Sequence, residues 1–166
     1  VGEEMSGPTV RRAELDDARE LARLRWDFRP EDQPGQGFEE FVRGFESWLA
    51  HALTSDWTAV VADTGDGTLV GCIFLRSVGK VPNPGALDRA WGYVTNSYVS
   101  PDHRGRGVGT RLLDEVVAAA RERGHELLIV WPSEPAVSLY ARAGFCDVSD
   151  AHGGPDDHPP LELLLP

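Results

Sequence analysis

Residues 100–117 read SPDHRGRGVGTRLLDEVV. Glycines at 105, 107 and 109 carry a backbone-entropy cost, so either the turn is unusually tight or something comes close to the main chain. Downstream, Val108, Leu112, Leu113, Val116, Val117 and Ala120 recur at three- and four-residue spacing and predict an amphipathic helix. Arg121 and Arg123 suit its negative end, and Gly124 its stop. Upstream, RAWGYVTNSYVS (89–100) is rich in aromatic and β-branched residues and predicts a strand that Pro101 ends. Strand, glycine loop and helix start together make an anion site. First-turn N–H groups lack intrahelical partners, the helix dipole adds positive charge, and Arg104 and Arg106 add formal charge.

Working outward, Thr9–Arg12 reads as a short strand. Leu15, Ala18, Leu21, Ala22, Leu24 and Arg25 predict a first helix, and the turn-rich DFRPEDQPGQG (27–37) a loop. Phe38, Phe41, Val42, Phe45, Trp48 and Leu49 form a second helical stripe, read as core or groove wall. WTAVVADTGDGTLVGCIFLRSV (57–78) reads as two strands around Thr64–Gly67, where Asp-Gly is a strong hairpin signal. HELLIVWP (125–132) is almost wholly apolar, so a central strand; EPAVSLYARAG is a short helix with Pro135 near its start; FCDVSD and LELLLP are final strands around a polar loop at 149–160. The order β, α, α, β, β, β, α, β, α, β, β predicts a mixed sheet in an α/β or α+β domain.

The chain's 166 residues suit a single domain, read as 9–166 behind a flexible N-terminus, 1–8. Met5 is a candidate native start, which would make residues 1–4 an upstream remnant. No run of about 18 apolar residues predicts a transmembrane helix, and no signal layout opens the chain. The net charge of −11 argues against nonspecific nucleic-acid binding and suits a cationic partner. Cys72 and Cys146 both read as small core residues without a disulfide, as in a cytoplasmic protein. His152, Asp156, Asp157 and His158 offer metal-ligand types, but an acidic loop is the preferred reading and no metal is assigned.

Three phosphate motifs compete for the glycine loop. A Walker loop fails for want of a lysine after the last glycine. A dinucleotide fingerprint is weakened because Gly105, Gly107 and Gly109 give G-x-G-x-G, with Thr110 where a glycine is required. RGRGVG (104–109) resembles the [QR]-x-x-G-x-[GA] signature of the GNAT superfamily of N-acetyltransferases. EPAVSLYARAGF (134–145) resembles that family's later A-x-x-L-Y-x-x-x-G-F segment, with Ala136, Leu139, Tyr140, Gly144 and Phe145 in step. The likeness is strong over residues 89–146, and the element order agrees.

The resemblance implies a GNAT-type fold: a mixed, mostly antiparallel sheet of six or seven strands flanked by about four helices. It implies acetyl-CoA as acyl donor and no metal. Its pyrophosphate would meet Arg104, Gly105, Arg106, Gly107, Val108, Gly109 and Thr110. The backbone of Tyr98 and Val99 would meet the pantetheine arm, with the Val99 N–H as a small oxyanion hole. Tyr140 matches the family's frequent general acid. The place of a glutamate base used by some members holds Tyr93, so a direct carboxylate base is in doubt. By period two Tyr93, Thr95 and Ser97 share one strand face and could line a water chain. Asp27, Glu31 and Glu134 are alternative acids. Ser133 stands where the family often has an asparagine, and could bond the cofactor arm. His103 is read as facing solvent.

In this family the acceptor site is usually walled by the first two helices, their connecting loop and the last hairpin, regions that here carry Trp26, Asp27, Phe28, Arg29, Glu31, Asp32, Phe38 and Trp48. Aromatics with carboxylates suit an amine on an apolar body. The expected partner is therefore a small-molecule or peptide amine, with no nucleic acid and no membrane; a homodimer is left open. The competing readings are an acyl-CoA-binding sensor without catalysis and, more weakly, a dinucleotide oxidoreductase.

Overall fold

The computed structural model describes residues 7–33, 37–148 and 159–166. Its elements are β1 (Thr9–Arg12), α1 (Ala18–Phe28), α2 (Phe38–Ala52), β2 (Trp57–Asp63), β3 (Leu69–Gly79), β4 (Ala90–Val99), α3 (Val108–Glu122), β5 (Leu127–Val130), α4 (Val137–Arg142), β6 (Cys146–Asp147) and β7 (Leu161–Leu164). This is the predicted order. One seven-stranded sheet runs β1-β2-β3-β4-β5-β7-β6. Every pairing is antiparallel except β4 with β5.

Two cores sandwich the sheet. Leu21, Leu24 and Leu49 of α1 and α2 pack on Ala59, Val61, Cys72 and Phe74. On the other face, Val108, Leu112, Leu113 and Val116 of α3, with Tyr140 and Phe145, pack on Val60, Ile73, Leu75, Val94 and Leu128. The near-continuous apolar runs of β2 and β3 follow, because both of their faces are covered. Leu112 is wholly buried, and its Cδ1 would lie 3.1 Å from a Cβ placed on Gly71. Leu112→Ala should therefore lower unfolding free energy by about 3 kcal/mol, read from a urea midpoint shift at unchanged slope; a shift below about a third of that would contradict this packing.

Two local features open the sheet. β4 and β5 pair only through Gly92–Leu128, Tyr93–Ile129 and Val94–Val130. Pro132, two residues past the end of β5, has no N–H to extend the ladder. On the other edge of β4 the register with β3 slips between Cys72–Tyr98 and Phe74–Thr95, a bulge centred on Asn96 at φ 54°. Asparagine tolerates this left-handed conformation better than a β-branched residue would.

Cys72 is buried and its thiol is pushed up to about 12 by burial. Cys146 is exposed on the two-residue strand β6, contrary to its reading as core. Both cysteines are free. His152, Asp156, Asp157 and His158 lie outside the described residues, as do residues 1–6 of the expected flexible N-terminus. No helix among the described residues is long and apolar enough to cross a membrane.

Candidate active site

The glycine question has a conformational answer at two of its three positions. Gly105 and Gly107 sit at φ 70° and 74°, where an L side chain is strained. Gly107 is also the N-cap of α3, with no side chain to cap it; the first intrahelical bond runs from Arg111 N to Gly107 O at 3.1 Å. The N–H groups of Val108, Gly109 and Thr110 therefore have no partner within the helix, at its positive end. Gly109 has an ordinary helical conformation. A Cβ there would touch Leu139 Cδ2 at 3.5 Å and Val99 Cγ2 at 4.0 Å.

These residues form one wall of a cleft of about 440 Å³, lined also by Ser97, Tyr98, Val99, His103, Arg104 and, from the α4 side, Ser133, Ala136, Ser138, Leu139 and Arg142. Arg104 Nε donates to Val99 O at 2.8 Å, and its guanidinium lies 5.7 Å over the Tyr98 ring. Arg106 is exposed and outside this lining. His103 reaches the cleft with a buried Nδ1 that lacks a partner, rather than facing solvent. Three free amides, two glycines that clear the main chain and the cations Arg104 and Arg142 are a donor set that fits a diphosphate.

The open side of β4 supplies further donors. Ser100 N donates to Val70 O at 2.9 Å, toward β3. Backbone groups alternate along a strand, so those of Val99 and Ser97 face the split while those of Tyr98 face β3. The bond from Arg104 to Val99 O agrees with that direction. Tyr98 contributes its ring, which stacks on Phe28 at 5.3 Å.

The bulge overturns the shared face expected of Tyr93, Thr95 and Ser97. One extra residue in β4 puts Thr95 and Tyr98 opposite Phe74 and Cys72, which face α1 and α2. Ser97 is thrown to the other face, where its Oγ hydrogen-bonds the Tyr140 hydroxyl. Tyr140 is only 1% exposed and its ring meets Phe145 at 5.3 Å. Burial raises its phenol pKa, against the bond from Ser97, so the proton stays on at neutral pH. Tyr140 thus communicates with the cleft through Ser97, a link that strict alternation concealed.

Beside the cleft, on the α1–α2 face, lies a cavity of about 330 Å³ lined by Arg25, Phe41, Phe45, Trp48, Trp57, Phe74, Tyr93, Thr95 and Asn96. Tyr93 and Thr95 line this cavity, together with Phe41, Phe45 and Trp48 of the α2 stripe. Of the residues expected to wall an acceptor site, Trp48 also lines it, and Trp26, Asp27, Phe28, Arg29, Glu31, Asp32 and Phe38 do not. Trp26 packs between Phe38 and Phe41 at 5.6 and 5.5 Å. Phe28 lines the 440 Å³ cleft instead. Asp27 pairs with Arg23 at 3.1 Å and Glu31 with Arg29 at 3.3 Å. Glu134 lines neither space. Arg25, Trp57 and Phe74 went unflagged as lining residues because they come from three elements that only tertiary packing brings together.

Comparison with known proteins agrees with this geometry. Residues 18–145 match the Acetyltransferase (GNAT) family. A mycothiol acetyltransferase of Propionibacterium freudenreichii is 36% identical over 104 residues, 58% of this chain and 31% of that protein. The chain spans about a third of the length of the curated relatives it matches. A predicted acetyltransferase of Clostridium acetobutylicum, solved with acetyl-CoA, superposes with a TM-score of 0.63 at 25% identity, over 84% of this chain and 90% of that one. A paia N-acetyltransferase of Thermoplasma acidophilum, solved with coenzyme A, shares the fold with a TM-score of 0.69 at 16% identity, over 96% and 100%. By its split strand pair, its glycine-lined helix start and this family match over most of its length, the chain belongs to the GNAT family of N-acetyltransferases.

Proposed function

We propose that this protein transfers an acetyl group from acetyl-CoA to a primary amine of a small-molecule or peptide acceptor, by direct attack with both bound together. The observation that carries this reading is adjacency: the diphosphate-suited cleft and the aromatic cavity meet along β4, at residues 95–99. The acetyl-CoA complex of the Clostridium acetobutylicum relative supports the choice of donor.

In this scheme the amides of Val108, Gly109 and Thr110 hold the diphosphate, with Arg104 and Arg142 beside it. The Val99 N–H donates to the carbonyl oxygen as it gains charge, a contribution of about 3 kcal/mol in comparable sites. The amine nitrogen bonds to the carbonyl carbon as the carbon–sulfur bond breaks. The departing sulfur takes a proton from the Ser97–Tyr140 pair, and the amine gives up its own to water. No carboxylate or imidazole lines the acceptor cavity among the described residues, so Tyr93 and Thr95 act by ordering that water.

The test is acetyl-CoA with a panel of amines, followed by free thiol and by product mass. Amine-dependent thiol release with stoichiometric acetylated product is expected. Saturable acetyl-CoA binding with no amine-dependent release would show instead a non-catalytic acyl-CoA-binding domain. Saturation by NAD and not by acetyl-CoA would remove both.

A further inference from the structure

The acceptor cavity holds six aromatic side chains and one formal charge, and that charge is positive. Phe41, Phe45, Trp48, Trp57, Phe74 and Tyr93 supply the rings; Arg25 supplies the guanidinium. Arg25 is half-buried, and among the described residues it has no ion pair within 4 Å. Its one hydrogen bond runs from Nη1 to Asn96 Oδ1 at 2.6 Å, and its guanidinium lies 5.8 Å over Phe28. A guanidinium has five N–H donors in a planar fork, so those not given to Asn96 are open to solvent or to a bound group.

A half-buried charge in an apolar wall is completed either by water or by a counterion, and a counterion that displaces that water gains a strengthened pair. The neighbouring acids do not supply one. Glu31 is bonded to Arg29, and Glu31 and Asp32 act on Arg25 only from a distance. Burial, then Arg29, pushes the Arg25 pKa down, which is the behaviour of a cation short of compensating charge. A second cation, exposed Arg76, lies 5.7 Å over the ring of Trp57, a lining residue. Asn96 holds the guanidinium in place, and the β4 bulge that sets Asn96 also divides cavity from cleft.

We propose that the acceptor is an amine carrying one carboxylate on an aromatic or similarly apolar body, with that carboxylate paired to Arg25: an aromatic amino acid or a close analogue. The planar fork matches a carboxylate in bidentate geometry. One lining guanidinium neutralises one charge, which disfavours a phosphate dianion. A polycation would bring ammonium groups to a lining with no acid to receive them. This inference rests on the transferase reading for the amine, but the carboxylate pocket is testable without it.

The binding arm uses 3-phenylpropionate, which has the ring and the carboxylate but no amine, and reads the fluorescence of the protein, with Trp48 and Trp57 in the cavity wall. It should saturate the wild type. 2-Phenylethanol and 2-phenylethylamine should bind about tenfold or more weakly. Arg25→Gln, which keeps a donor for Asn96, should weaken 3-phenylpropionate about tenfold or more, and Arg25→Lys should restore part of the loss. No binding of 3-phenylpropionate, or binding indifferent to Arg25→Gln in a variant with a wild-type melting profile, would overturn the proposal. The transfer arm compares L-phenylalanine with phenylalaninamide by thiol release. Phenylalanine should have a KM about tenfold or more lower, a preference that Arg25→Gln abolishes. Carboxylate binding as expected with transfer to no amine would sink the transferase reading and leave the carboxylate pocket standing; preference for the amide, or for a polyamine, would sink the carboxylate pocket alone.

Discussion

Tyr140→Phe should lower turnover about a hundredfold or more while acetyl-CoA affinity stays within about twofold. The variant removes one oxygen. The ring, buried against Phe145, keeps its packing, so the fold is retained. What is lost is the hydroxyl bonded to Ser97 Oγ, which joins the interior to the cleft near the split of β4 and β5. General acid assistance to a leaving group is worth about 10²–10⁴-fold, and a thiolate needs less help than an alkoxide, which favours the lower part of that range. Ser97→Ala separates two routes. If the proton passes through Ser97, both variants fall together and the double variant falls no further; if the phenol reaches the sulfur directly, Ser97→Ala is mild. Steady-state kcat beside calorimetric acetyl-CoA affinity decides the matter, and unchanged kcat in Tyr140→Phe would remove the phenol from the reaction.

Gly109→Glu should weaken acetyl-CoA binding about a hundredfold while the folded state holds or gains slightly. Gly109 is helical, so a side chain brings no φ strain, and its Cβ would meet Leu139 at an ordinary 3.5 Å. An acid in the first turn of a helix is favourable by about 0.3–1 kcal/mol, and losing a glycine from a helix helps by a similar amount. The same carboxylate stands beside the amides proposed for the diphosphate. Two like charges about 5 Å apart at an effective dielectric near 20 repel by about 3 kcal/mol, which is about two decades in affinity. The signature is a divergence: melting temperature steady or higher, calorimetric affinity far lower. Wild-type affinity in this variant would move the diphosphate away from the start of α3.

Much of the site was legible because its chemistry is written locally. The G-x-G turn, the apolar period of α3 and the spacing from Ser133 to Tyr140 all lie within short stretches, where side-chain period and backbone conformation depend on near neighbours. Tyr93 and Thr95, named by the same reasoning, line the aromatic cavity. Period counting failed at Ser97, because a single extra residue in β4 reverses every side chain beyond it. The only local sign was an asparagine within an otherwise β-rich run. Asp27 and Glu31 are named from the family resemblance and not from period; their carboxylates pair with Arg23 and Arg29.

The sequence by itself determined the order of elements, the anion-suited start of α3 and the family, because turns, helix faces and glycine conformations are decided by residues a few positions apart. The tertiary structure alone decided that Arg25 enters an aromatic cavity without an acid, that Ser97 turns to meet Tyr140, and that Cys146 is exposed. Those outcomes depend on the register of β3 against β4 and on how α1 and α2 settle over the sheet. Register and helix docking are set by the summed packing of residues distant in the chain, and no short stretch contains that sum.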